Sequence, residues 1–238
     1  SGDRGRFTSK DVLKAINPED SHYAKTSLVS LEDTCNKGGG SIWDEKEIKA
    51  INQVAKSNSL SMHLDGARLW NAIVARGIQN DSEALKKYGS NFDSISLCLS
   101  KGMGCPVGSV LIGSEEFVAE AHRSRKVFGG GMRQAGIIAA AGIYALDNNL
   151  DRLAEDHIHA KMLCEAALEN KSVASVAKVE TNICILELNL GIDSAELVKE
   201  WGNMGIECFP FSPTSIRFVT HLDLSRTQVE MACSLLAQ

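Results

Sequence analysis

The chain has 238 residues, 44% of them hydrophobic and 23% charged, with 25 basic against 30 acidic side chains and a formal net charge of −5. That length can bury a proper core as one large domain or two smaller ones, and the composition is that of an ordinary globular protein. The acidic balance without a basic block argues against nucleic acid or an anionic membrane surface as partner. The longest apolar run, Gly136–Leu146, falls well short of the ~20 residues a membrane span needs. The opening SGDRGRFTSK has no signal-peptide pattern.

In chain order, three short runs read as strands, each followed by a polar or glycine-rich segment. Ser27–Asp33 precedes TCNKGGGSIW, Ser59–Asp65 precedes GARLW, and Phe92–Ser100 precedes KGMGCPVG. Between the first two, Ile48, Ile51, Val54 and Ala55 stand at helical spacing within Glu45–Asn58. VGSVLIGS (107–114) predicts a further strand, and SEEFVAEAHRSRK (114–126) a helix opening on Ser-Glu-Glu. This alternation predicts an α/β fold with a mostly parallel sheet and helices on both faces. From Met132 to about Asn170 the pattern is almost all helical, with DNN at 147–149 placed to break or bend it. From Lys171 onward, TNICILELN (181–189), GIECF (205–209) and SIRFVTHL (215–222) read as strands, and SAELVKEWGNM (194–204) and SRTQVEMACSLLA (225–237) as helices. The expected organisation is an α/β domain over 1–147 and a small α+β domain over 148–238, the boundary falling within the helical stretch 132–170.

Cysteines at 35, 98, 105, 164, 184, 208 and 233 include no CxxC spacing, and several lie inside apolar runs. They are expected to be reduced, small hydrophobic side chains of a cytosolic protein. His157 and His159 are two apart on a predicted helix, point to different faces and cannot share a metal, so no metal site is expected.

Ligands of open α/β sheets gather at the carboxyl ends of the strands. Thr34 and Asn36, Asp65 and Arg68, and Lys101 all fall there. On residue types alone Asp65 has two readings, a helix N-cap or part of a site. Lys101, followed by Gly102, Gly104 and Gly108, is either a strand-end lysine reaching water or a desolvated amine. Desolvation in an apolar setting would lower its pKa and let it form a Schiff base. A pyridoxal phosphate enzyme needs such a lysine and a carboxylate against the pyridine nitrogen, which Asp65 could supply.

LDGARLWNA, SLCLSKGMGCPVGSVLIG and GGGMRQAGIIAAAGIYAL, in this order, closely resemble the L-threonine aldolases of the fold-type I pyridoxal phosphate enzymes. DSHYAKTSLVSLEDTCN, TNICIL and IRFVTHLDLS extend the resemblance over essentially the whole chain. It implies retro-aldol cleavage of L-threonine or L-allo-threonine to glycine and acetaldehyde. It makes Lys101 the Schiff-base lysine and Asp65 the partner of the pyridine nitrogen. Arg68 would lie beside the cofactor and the substrate carboxylate, and Arg217 would grip that carboxylate from the small domain. Arg133 would reach the cofactor phosphate of a neighbouring subunit, with Lys126 in the same interface stretch. His22 would position or deprotonate the β-hydroxyl. Active sites formed between subunits, and the apolar stretch 132–146, lead to an expected homodimer or homotetramer.

The resemblance has two departures. Where the family carries an N-T-H-N type of segment this chain has EDTCN, so Asp33 and Cys35 replace an amide and an imidazole. The family's leading stretch, with its carboxylate-binding serine, phosphate loop and ring-stacking histidine, has no counterpart, and the chain is expected to be a fragment, a processed chain or half of a split polypeptide. Two other readings stay open: a non-catalytic remnant, and a β-eliminating lyase of aromatic amino acids that releases pyruvate and ammonia. GGGMRQ and THLD favour the aldolase over the latter.

Overall fold

The computed structural model describes residues 2–238. Its first half is a βα layer structure. Helix α1 (Ser9–Ala15) starts at a capping box between Thr8 and Asp11 and leads to strand β1 (Leu28–Glu32). Helix α2 (Glu45–Ser57), capped by Asp44, buries Ile48, Ile51, Asn52 and Ala55 on one stripe. Strand β2 (Ser61–Gly66) buries Met62, Leu64 and Gly66 and exposes Ser61 and Asp65, the period-two alternation of a half-covered strand. Helix α3 (Leu69–Arg76) ends at Gly77, whose φ of +69° is the left-handed conformation glycine adopts without strain. Helix α4 (Ser82–Gly89), capped by Asp81, precedes β3 (Ser94–Cys98) and β4 (Ser109–Gly113).

The sheet order is β1-β2-β3-β4, with β1, β2 and β3 parallel and β4 returning antiparallel. This is the parallel-rich sheet expected from the strand and helix alternation. Its core joins Leu31, Ile48, Ile51, Met62, Leu64 and Ile95. The far edge is bare: every residue of β4 is exposed, and helix α5 (Glu115–Val127) buries none of its side chains. Helix α6 (Gly136–Asn148) leaves Ile137, Ile143 and Tyr144 at 62–79% exposure. The helical stretch then breaks after Asn148, as DNN predicted, before helix α7 (Leu153–Ala167).

The remainder folds as an antiparallel sheet: β5 (Val173–Val176), β6 (Ile183–Leu188), helix α8 (Ser194–Asn203), β7 (Phe209–Ser212), β8 (Ser215–Val219) and helix α9 (Arg226–Leu236), in the order β5-β6-β8-β7. Leu186, Trp201, Ile216, Phe218, Val229 and Leu236 fill its core. A third cluster, with Leu99, Met103, Cys105, Ala145 and Leu153, lies under the segment after β3 and ties it to α6 and α7.

One expectation is overturned here. Cys164 on α7 and Cys184 on β6 form a disulfide across a Cα separation of 5.9 Å. No spacing rule signals this pair, because only the packing of a helix on a strand brings together residues 20 apart. The remaining cysteines are free. The cytosolic setting argued from seven reduced thiols loses that support. No described helix is long and apolar enough to cross a membrane.

Candidate active site

The parallel register sets Glu32 beside Asp65 and Asp65 beside Ser96, so the three side chains share one face at the carboxyl end of the sheet. Asp65 is exposed, and its Oδ1 accepts a 2.9 Å hydrogen bond from the Ala67 backbone N–H. This turn ends before the helix. The N-cap of α3 is Arg68, which offers no side-chain cap, so the helix-cap reading of Asp65 is excluded.

Arg68 is half-buried and has no ion-pair partner among the described residues. Burial pulls its pKa below the usual guanidinium value; Glu32 opposes that shift and Arg217 adds to it. Two like charges that sense each other without full neutralisation make a natural seat for an anion. Arg217, on β8, is held by a 3.1 Å hydrogen bond from Nη1 to Asn36 Oδ1, and its Cζ lies 5.4 Å from the centroid of the Phe211 ring. Asn36 thus ties the segment after β1 to the second sheet.

Lys101 opens a tight turn in which the Gly104 N–H donates to the Lys101 carbonyl at 2.8 Å. Met103 anchors the turn, fully buried, while Asn149 Nδ2 donates to the Met103 carbonyl at 2.7 Å. Gly104 has φ +74°, and a Cβ there would come within 2.4 Å of Leu222 Cδ2. Gly104→Ala is therefore expected to destabilise the chain by about 1–3 kcal/mol, read as a lowered urea midpoint.

A cleft of about 470 Å³ connects these elements. Its lining includes Arg68, Asn71 and Lys101 from the first half and Asn182, His221 and Asp223 from the second. The cleft is polar and Lys101 is exposed in it, so the apolar, desolvated setting expected of this lysine is corrected. The cause is position: the turn projects beyond the sheet, and only its Met103 and Cys105 point inward.

Other candidates stand apart from the cleft. His22 lies in the segment between α1 and β1, 86% exposed, with Nδ1 2.7 Å from Asp20 Oδ1. Arg133 is exposed just ahead of α6, and Lys126 is exposed near the end of α5. Neither side chain has a hydrogen-bond partner among the described residues.

Both substituted positions of the EDTCN segment are buried and hydrogen-bonded within the fold. Asp33 is fully buried, 3.0 Å from Arg76 Nη2, and its Oδ2 accepts from the Tyr88 hydroxyl at 2.7 Å. Burial raises its pKa, with Arg76 and Tyr88 opposing. Cys35 is buried and donates to the Glu32 carbonyl at 3.1 Å. Burial, helped by the charges of Glu32 and Asp33, pushes its thiol up to about 11, so it stays protonated at neutral pH.

Sequence reasoning passed over Asn71 and the pair His221–Asp223, whose Nδ1 and Oδ2 stand 3.3 Å apart. The available signal was place: THLD continues directly from β8, as DGAR does from β2. Asn71 gave less, since an Asn inside a helical run carries no signature.

A family profile described as beta-eliminating lyase matches residues 1–190. The low specificity L-threonine aldolase of Escherichia coli (strain K12) is 42% identical over 225 residues, which cover 94% of this chain and 64% of that protein. The low-specificity L-threonine aldolase of Candida albicans is 38% identical over 94% of this chain and 58% of its own length. The chain thus spans under two thirds of these relatives. Among solved structures, a threonine aldolase from Leishmania major aligns with a TM-score of 0.79 at 18% identity, covering 99% of this chain and 68% of that one. A putative L-allo-threonine aldolase from Listeria monocytogenes EGD-E aligns with a TM-score of 0.75 at 22% identity, covering 98% and 65%. These likenesses establish the fold.

Proposed function

This chain belongs to the beta-eliminating lyase family, and on that premise we propose that it cleaves L-threonine or L-allo-threonine to glycine and acetaldehyde with pyridoxal phosphate held at Lys101. The observation that carries this reading is the single cleft into which Lys101 and Arg68 both open, with Asp65 at the neighbouring strand end and Arg217 near enough for Arg68 to feel its charge.

The residues fit the cofactor. The cleft volume is in the range of small-molecule sites. Lys101 offers an unhindered amine, the glycines after it keep the wall free of side chains, and Asp65 keeps an exposed carboxylate. Bound there, pyridoxal phosphate supplies an electron-poor ring to receive the pair released from the Cα–Cβ bond. Asp65 would hold a proton on the ring nitrogen. Arg68 and Arg217 would clamp the substrate carboxylate from two sides and fix the rotation about Cα, which decides which bond breaks. His22, paired with Asp20, is assigned the β-hydroxyl proton, a role that requires the segment before β1 to fold over the cleft when substrate binds. Arg133 is assigned to the cofactor phosphate of a second copy, across the bare face of α5 and α6. A homodimer or homotetramer follows, with light scattering as its check. The division near residue 147 belongs to the same proposal.

Product analysis tests the reaction. Glycine with acetaldehyde from L-threonine supports it; pyruvate and ammonia from an aromatic amino acid would assign the chain to the eliminating branch. Arg217→Met is expected to lower kcat/KM about 100-fold, the value of roughly 3 kcal/mol of charge-assisted hydrogen bonding, with cofactor binding unchanged.

A further inference from the structure

Asn71 is 2% exposed in the wall of the cleft, and its Nδ2 lies 3.3 Å from His157 Nε2 on α7. Burial pushes the His157 imidazole down to about 4, so the ring is uncharged at neutral pH. In the Nδ1–H tautomer its Nε2 accepts from the amide. That bond fixes the orientation of the carboxamide and turns Oδ1 toward Gly102. A Cβ on Gly102 would lie 3.2 Å from Asn71 Oδ1 and 2.8 Å from Leu153 Cδ2. The backbone directly after Lys101 therefore faces these two side chains across a gap too small for any side chain at 102. Among the described residues Oδ1 accepts no hydrogen bond, and it keeps its access to the cleft.

We propose that Asn71, aligned by His157, is a positioning residue that seats the Lys101–Gly104 turn and so aims the Lys101 amine into the cleft. The proposal rests on the reading of Lys101 as the covalent lysine and adds what holds it in place. The chain of contact runs from α7 through His157 and Asn71 to Gly102. The adjoining residues of the turn are fixed independently by Met103 and Asn149, so Gly102 is the point at which loss of the seat would be felt first.

Two bonds close this turn, from Gly104 N–H to the Lys101 carbonyl and from Cys105 N–H to the Leu99 carbonyl. Their opening is readable by hydrogen exchange of the 99–105 peptide in the cofactor-free chain. Asn71→Ala and His157→Leu are expected to speed that exchange about fivefold or more and to weaken covalent capture of pyridoxal phosphate at Lys101 roughly five- to tenfold, the value of one hydrogen bond. His157→Gln, which keeps an acceptor, should retain both within about twofold. If Asn71→Ala does not fold, the two His157 variants decide the matter.

Unchanged exchange in Asn71→Ala and His157→Leu, both with native circular dichroism, overturns the proposal, as does faster exchange with unchanged capture. Faster exchange in a chain whose wild type captures no pyridoxal phosphate upholds the seat and removes the reading of Lys101 instead.

Discussion

Lys101→Ala is expected to lower turnover of L-threonine by about 1,000-fold or more, since it removes the only group assigned to covalent bonding. The fold should survive, because the side chain is exposed and makes no hydrogen bond among the described residues. Unfolding in urea separates the two effects: an unchanged midpoint with lost glycine formation places the loss in the chemistry. Lys101→Arg sharpens the test, since it keeps the charge and length but offers no amine that can condense with an aldehyde. If alanine at 101 retained more than about a tenth of the wild-type rate, the lysine would be a bystander and the cleft would work by another route.

The second large effect is on stability. Arg76→Met should destabilise the chain by about 3–5 kcal/mol, because it strips a fully buried carboxylate of its cation. Arg76 Nη2 also donates to the Trp43 carbonyl at 2.6 Å, and its Cζ lies 5.1 Å from the Tyr88 ring centroid, so the loss spreads to two neighbours. The pH dependence has a definite sign. Burial raises the folded pKa of Asp33 above its unfolded value, so the folded state takes up this proton first. Removing Arg76 raises that pKa further. The Arg76→Met deficit should therefore shrink as pH falls from neutral and the carboxyl takes up its proton, with the Tyr88 hydroxyl still beside it. A deficit that is constant from pH 7 to pH 4.5 would show that the charge at Asp33 is not what Arg76 compensates.

Much of the fold was legible because β1, β2 and β3 carry their burial as alternation. Ser27–Asp33, Ser59–Asp65 and Phe92–Ser100 enclose or overlap Leu28–Glu32, Ser61–Gly66 and Ser94–Cys98. Their polar ends then had to lie on one edge, as parallel strands require. Where alternation was weak the reading slipped: the strand placed at 205–209 is Phe209–Ser212, an exposed edge strand interrupted by Pro210. Helices α1 and α4 and strand β5 are too short to carry a period.

The site was legible through the grouping of chemistry at strand ends, reinforced by the family resemblance. What stayed hidden depends on packing across the chain. Asp33 meets Arg76 and Tyr88 from two different helices, and the Cys164–Cys184 bond joins a helix to a strand. Burial of Lys101 was overestimated because glycines after a strand signal close approach without saying what approaches. Here Leu153, Asn71 and Leu222 approach the glycines, and the lysine itself faces open space.

The most direct measurement is a crystal structure of the chain grown with pyridoxal phosphate. The expected result is continuous density from Lys101 Nζ to the ring, with the Asp65 carboxylate about 2.7–2.9 Å from the ring nitrogen at the opposite end. A ring bound elsewhere, or one joined to Lys101 with its nitrogen turned away from Asp65, would contradict the account.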